Sequence, residues 1–162
     1  MITTLPFAPT KKELFKLLLI RYLKKRWWLY LVFIVLSGFY YTSYGGHDTS
    51  TALYFLIFAM VLPLSTSFSI WRYLSSKDNR VLYLTRHYKM DFDNIENFLQ
   101  DGSTSSIKIG NFIKSELIAG YYLLYMTRAQ YYMIPISTFK SPEDLKWFTV
   151  NILGKIKMPG FL

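Results

Sequence analysis

Between Arg26 and Arg72 the chain carries no Lys or Arg, and Asp48 is the one acid there. That stretch holds two apolar runs, "WWLYLVFIVLSGFYYTSY" (residues 27 to 44) and "ALYFLIFAMVLPLSTSFSIWRY" (residues 52 to 73). Between them lies "GGHDTST", residues 45 to 51, whose two glycines and small polar residues read as a tight reversal. A helix that crosses a bilayer needs about 20 mostly apolar residues, and each run is near that length. The paired helices of a soluble bundle keep a polar stripe toward water, and the first run has none. The sequence therefore predicts a transmembrane helical hairpin. Pro63 and the Ser and Thr that follow it are tolerable in such a helix, where neighbouring groups satisfy freed carbonyls.

Aromatic and charged residues orient the hairpin. Trp27 and Trp28 stand at one end of the first run, with Tyr40, Tyr41 and Tyr44 at the other; Tyr54 and Trp71 edge the second. Such rings favour the membrane–water interface. Seven Lys or Arg residues fall between Lys11 and Arg26, against Glu13 alone. The loop at 45 to 51 has no basic residue. The bias of basic residues toward the inner side places both termini in the cytoplasm and the loop outside. A cleaved signal peptide fits less well, because the basic arm is long, no small-residue cleavage site follows and a second run comes next.

The arm itself, "PTKKELFKLLLIRYLKKR" at 9 to 26, offers Thr10 and Glu13 as a capping box. Phe15, Leu18, Leu19 and Tyr22 recur at helical spacing. Two readings stay open. The arm is an interfacial helix held on anionic lipid by its lysines, or a plain extension of the first span. In both, Lys24, Lys25, Arg26, Trp27 and Trp28 are the membrane-surface residues. The net charge of +9 also raises nucleic acid as a partner, but Leu17 to Ile20 would sit poorly in a groove, and none is expected.

Three segments follow: a basic cytosolic N-terminal helix at 1–26, the hairpin at 27–73 and a cytosolic domain at 74–162. The last begins with a linker, "SSKDNR". In "VLYLTRHYKMDF" (81 to 92), Leu82, Leu84, Tyr88, Met90 and Phe92 alternate with polar residues, the period of a half-buried strand, with Arg86 breaking the apolar set. A second strand ends at the turn pair Asp101-Gly102. "SIKIGNFIK" gives a third, bent at Gly110. "SELIAGYYLLYM" (115 to 126) is apolar on both faces, as one central strand would be. "YYMIPISTF" (131 to 139) contains Pro135, which confines it to an edge or a bulge. "SPEDLKWFTVNILGKI" is the clearest helix, with Ser141 as N-cap, Pro142 in the first turn, acids at its positive end, and Gly154 and Pro159 bracketing its close. The expected fold class is α+β: a small antiparallel sheet capped by a C-terminal helix, following the helical hairpin.

Two pieces carry a family resemblance, "RVLYLTRHYKMDFDNI" and "LLYMTRAQYYMIPISTFKSPEDLKWF". In the second, Ile134-Pro135, Phe139, Ser141 and Glu143 follow the order strand, Ile-Pro, Phe and capped helix. With the two runs and short loop, this order resembles the YcxB-like bacterial membrane proteins. The chain departs from that pattern at Ile136, where a basic residue is common, and lacks a Trp near Ile109 and Gly110. The resemblance implies a pleckstrin-homology-like cytosolic domain, a place in the bacterial inner membrane and no enzymatic activity. Some small membrane proteins of this kind look like immunity proteins encoded beside toxins or bacteriocins.

Chemistry-bearing motifs are sparse. The chain has no Cys, which excludes disulfides and thiolate sites. His47 and His87 lie far apart in sequence, whereas a metal needs several convergent ligands. "DFDNIE" lacks the Gly and the ligand spacing of a calcium loop. No nucleophile elbow or phosphate loop occurs. Arg86, Lys89, Lys108, Lys114 and Arg128 read as solubilising charges or as a surface toward lipid phosphates. Tyr121, Tyr122, Tyr125 and Tyr131, with Arg128, are the candidate binding residues, since Tyr supplies contact area at low entropy cost. The competing reading is strand packing. The expected function is non-catalytic protein binding by a membrane-anchored domain, with no cofactor, metal or small-molecule substrate. The partner is another membrane protein or, in the alternative, a membrane-acting toxin.

Overall fold

The computed structural model describes residues 1–43, 49–128 and 130–156. The chain divides into two compact units: Met1–Thr10 with Arg80–Leu162, and Lys11–Asn79.

The first unit is α+β. Strands β1 (Ile2–Thr3), β2 (Arg86–Met90), β3 (Asn94–Leu99) and β4 (Thr104–Lys108) form a four-stranded sheet in that order. Strands β5 (Lys114–Ile118), β6 (Tyr121–Tyr125) and β7 (Tyr131–Pro135) form a three-stranded one. Every pairing is antiparallel. Alternation fixes the inward set. Tyr88 and Met90 of β2, Ile95 of β3, and Leu124 and Ile134 of β6 and β7 are completely buried, and α3 (Pro142–Asn151) adds Phe148 to the same core.

Turn chemistry sets the registers. The Asp91 carboxylate accepts from the backbone N–H groups of Asp93 (2.8 Å) and Asn94 (2.6 Å), closing β2 onto β3. Gly102, at φ +85°, takes the left-handed position between β3 and β4. Ser141 caps α3 as its sequence predicts, accepting from Asp144 N–H at 3.1 Å, with Pro142 in the first turn. Pro135 lies on β7, at the edge of its sheet. Pro159, expected to help end the last helix, lies outside the described residues.

Three features differ from the sequence expectation. Residues 115 to 126 are not one central strand but a hairpin, with Ala119 (φ 51°) and Gly120 (φ 82°) as a two-residue loop. Both central residues are left-handed, the conformation that matches strand twist. An Ala in that position is an uncommon signal, so the apolar run conceals the reversal. Secondly, residues 81 to 85 are not strand; 3-10 turns, kinked at Asn79, occupy Lys77–Tyr83. Arg86 donates to the carbonyls of Val81 (2.7 Å) and Leu82 (3.0 Å), which is why a cation interrupts the apolar alternation. Thirdly, the first ten residues join the α+β unit. Ile2 and Thr3 pair with Met90 and Lys89, Phe7 bridges Arg86, and the Thr4 hydroxyl accepts from Tyr88 N–H. Pro6 and Pro9 cut this pairing short, leaving too few residues for a period to be read.

The second unit is a pair of helices, α1 (Lys11–Ser43) and α2 (Thr49–Ser75). Helix α1 runs unbroken through the basic arm and the first apolar run. The loop residues 44 to 48, including His47, lie outside the described residues. Hydroxyls return to carbonyls of their own helix: Ser65 to Leu62 (2.9 Å), Ser69 to Ser65 (2.8 Å) and Thr42 to Phe39 (3.0 Å). The expected pair of spans is not found in this unit. Among the described residues, no helix is long and apolar enough to cross a membrane. The described uncharged part of α1, Trp27 to Ser43, covers about 25 Å of axis at 1.5 Å per residue, short of a hydrocarbon core of about 30 Å. Its Trp, Tyr, Ser and Thr residues also lower the mean hydropathy. In α2 the apolar run carries Pro63 and four Ser or Thr residues between Ser65 and Ser69.

Candidate functional site

On α1, Lys24, Lys25, Arg26, Trp27 and Trp28 are all exposed, and the basic segment ends at the tryptophan pair. Beyond it, Leu31, Val32, Ile34, Val35, Leu36 and Phe39 also point outward. On α2, Leu53, Tyr54, Ile57, Met60, Val61, Leu64, Phe68 and Trp71 are exposed at helical spacing along one face, and Tyr73 is exposed on the other; Met60 is 71% and Phe68 67% exposed. The opposite sides of the helices form their seam, with Ser37 buried and Tyr30, Phe33, Leu62 and Ile70 half-buried. Soluble monomers rarely present contiguous apolar patches beyond a few hundred Å². Apolar side chains line the outside of both helices.

The register of the pair is set by polar contacts. The Tyr22 hydroxyl bonds to Thr66 and accepts from Arg26 at 3.5 Å. Further along, Lys11 donates to the Ser75 hydroxyl at 2.7 Å and lies 3.6 Å over the Trp71 ring. An open cleft lined by Lys11, Lys12, Phe15 and Trp71 sits there. With Tyr22 level with Thr66, α1 is already four residues into its basic segment where α2 has five more uncharged residues before Arg72. The two charge boundaries are offset by about ten residues, or roughly 15 Å of axis. Hydropathy read along the sequence places the boundaries at 26 and 72 but cannot show that they lie at different levels.

The tyrosine group divides. Strand alternation puts Tyr122 and Tyr132 on the core face; Tyr122 packs on Phe148 with ring centroids 5.2 Å apart, and Tyr132 bonds Ser105 at 2.7 Å. Tyr121, Tyr125 and Tyr131 share the opposite face of the three-stranded sheet. Tyr125 is 1% exposed there and donates to Glu116 at 3.0 Å, while Lys114 pairs with Glu116 at 2.9 Å and lies 4.4 Å over the Tyr125 ring. Tyr121 and Tyr131 are half-buried, and Arg128 is exposed in the turn after β6. The five candidate binding residues thus do not form one surface. Tyr122 and Tyr125 are packing residues.

Three of the five scattered cations are engaged locally. Arg86 caps its 3-10 turn, Lys89 pairs with Glu96 across the sheet at 3.9 Å, and Lys114 belongs to the Glu116 cluster. His87 stacks on Phe98 at 4.9 Å. Among the described residues no group of three or more His, Asp or Glu is placed to hold a metal ion. A tie that sequence reading missed is Tyr88, whose hydroxyl donates to the Met133 carbonyl at 3.1 Å and joins the two sheets. Burial pushes its phenol up to about 12. Nothing in an alternating strand announces which inward Tyr finds such an acceptor.

Compared with models of protein families, with curated proteins and with solved structures, the chain matches none.

Proposed function

We propose that this chain is a non-catalytic, membrane-anchored binding protein, kin to the YcxB-like group, with α1 and α2 seated in a bacterial inner membrane. Both ends of the pair lie on the cytoplasmic side, and the α+β unit engages another membrane protein. The observation that supports this best is the outward apolar surface of both helices, which water solvates poorly and lipid tails solvate well. Because the described helices fall short of a full crossing, the pair enters the bilayer from one side and is seated to the depth its apolar part allows. The inner orientation follows from the basic segment. Binding rather than catalysis is favoured by what the polar side chains of the α+β unit already do: Glu116 holds Lys114 and Tyr125, Arg86 caps a turn, and His87 stacks.

Photocrosslinking groups placed one at a time at Met60, Leu64 and Phe68 test the reading in living cells. The expected result is adducts with lipid or with a membrane protein at all three positions. Adducts with soluble proteins alone would overturn it. Capture of a membrane-acting toxin at these positions, with protection from that toxin on co-expression, would turn the reading to immunity.

A further inference from the structure

The offset between the two charge boundaries carries one step more, and it rests on the membrane reading above. We infer that the segment of the pair from Lys11 to Arg26 on α1, with Leu64 to Trp71 beside it on α2, is a collar for the anionic phosphate headgroups of lipid. At this level α1 presents Lys12, Lys16, Lys24, Lys25 and Arg26 as exposed cations, and Glu13 is the sole acid in either helix. At the same level α2 presents Leu64, Phe68 and Trp71 outward. A surface facing only water has no use for three large exposed apolar side chains beside a run of lysines. A surface facing only hydrocarbon would not hold five cations. The layer that suits both is the headgroup zone, where phosphates meet ammonium and guanidinium groups while apolar side chains reach the upper acyl region. The cations point around α1 and not along one stripe, as a ring of headgroups requires: by helical geometry Lys24 and Arg26 lie about 160° apart. Charge complementarity selects acidic lipids over zwitterionic ones, each cation near the surface contributing about a factor of five in binding.

The test is flotation of the full-length chain, diluted from mild detergent, on vesicles of phosphatidylcholine with or without phosphatidylglycerol. The wild type is expected to float far more completely on the anionic vesicles, and added salt to erode that preference. K24Q/K25Q/R26Q should lose about a hundredfold of the anionic preference and still float on neutral vesicles as the wild type does. K24R/K25R should retain the preference, which separates charge from side-chain packing. Equal flotation of the wild type on both vesicle types, or an unchanged preference in the triple variant, would overturn the collar and leave the anchor standing. Failure of the wild type to float on any vesicle would overturn both.

Discussion

Replacing Tyr88 by Phe removes one oxygen atom and should change both the stability and its pH dependence. The Tyr88 hydroxyl lies in the core with no exposed surface and donates to the Met133 carbonyl at 3.1 Å. Losing that bond costs about 1–2 kcal/mol at neutral pH, because the carbonyl is left in a dry site. Burial, partly offset by Arg86, raises the folded phenol to about 12, against an ordinary value near 10. Below pH 10 both folded and unfolded chains keep the proton, so the contribution of Tyr88 is fully present. Between 10 and 12 the unfolded chain releases its proton while the folded one cannot. Stability then falls by roughly 3 kcal/mol across that window. The variant lacks this loss. Wild type minus Y88F should therefore be positive at pH 7, vanish near pH 11 and turn negative by pH 12. Urea unfolding of the full chain in mild detergent, followed by near-ultraviolet circular dichroism at each pH, measures it. Other tyrosines titrate in both proteins and drop out of the difference. A difference that stays constant from pH 7 to 12 would refute the buried, hydrogen-bonded assignment.

Other substitutions follow from single contacts. S141A removes the cap of α3 and should destabilise the α+β unit by about 1 kcal/mol in the same unfolding measurement. A119N places a residue suited to left-handed backbone ahead of Gly120 and should stabilise by about 0.5–1 kcal/mol; a loss would contradict the two-residue turn. Y125A empties a buried site and removes the hydroxyl that bonds Glu116 beside Lys114, costing about 3–5 kcal/mol in the same measurement.

Periodic and capped elements were legible before the fold was known. The Tyr88-Met90 alternation, the Asp101-Gly102 turn, the Pro135 edge and the Ser141-Pro142 helix start each rest on local chemistry that tertiary contacts do not override. What escaped depends on partners distant in sequence or on rare local conformations. Residues 2 to 7 make too little pairing for a pattern, and their partners, β2 and the Thr138 carbonyl, lie far along the chain. Ala119 turns the chain in a conformation that Ala seldom adopts. Arg86 looked like a flaw in a strand until its carbonyl acceptors were seen. The same limit governs the candidate site. The residues of the basic and tryptophan segment are exposed on one continuous helix, α1. The level of α2 beside them is a property of the pair. For the tyrosines, composition marked a group, and strand alternation split it between two faces.

The proposed lipid solvation of α1 and α2 is tested by the fate of the full-length chain in cell membranes washed with alkaline carbonate. Retention in the membrane pellet, with release only by detergent, is the predicted result. A chain freed by the wash and monodisperse in detergent-free buffer would contradict it.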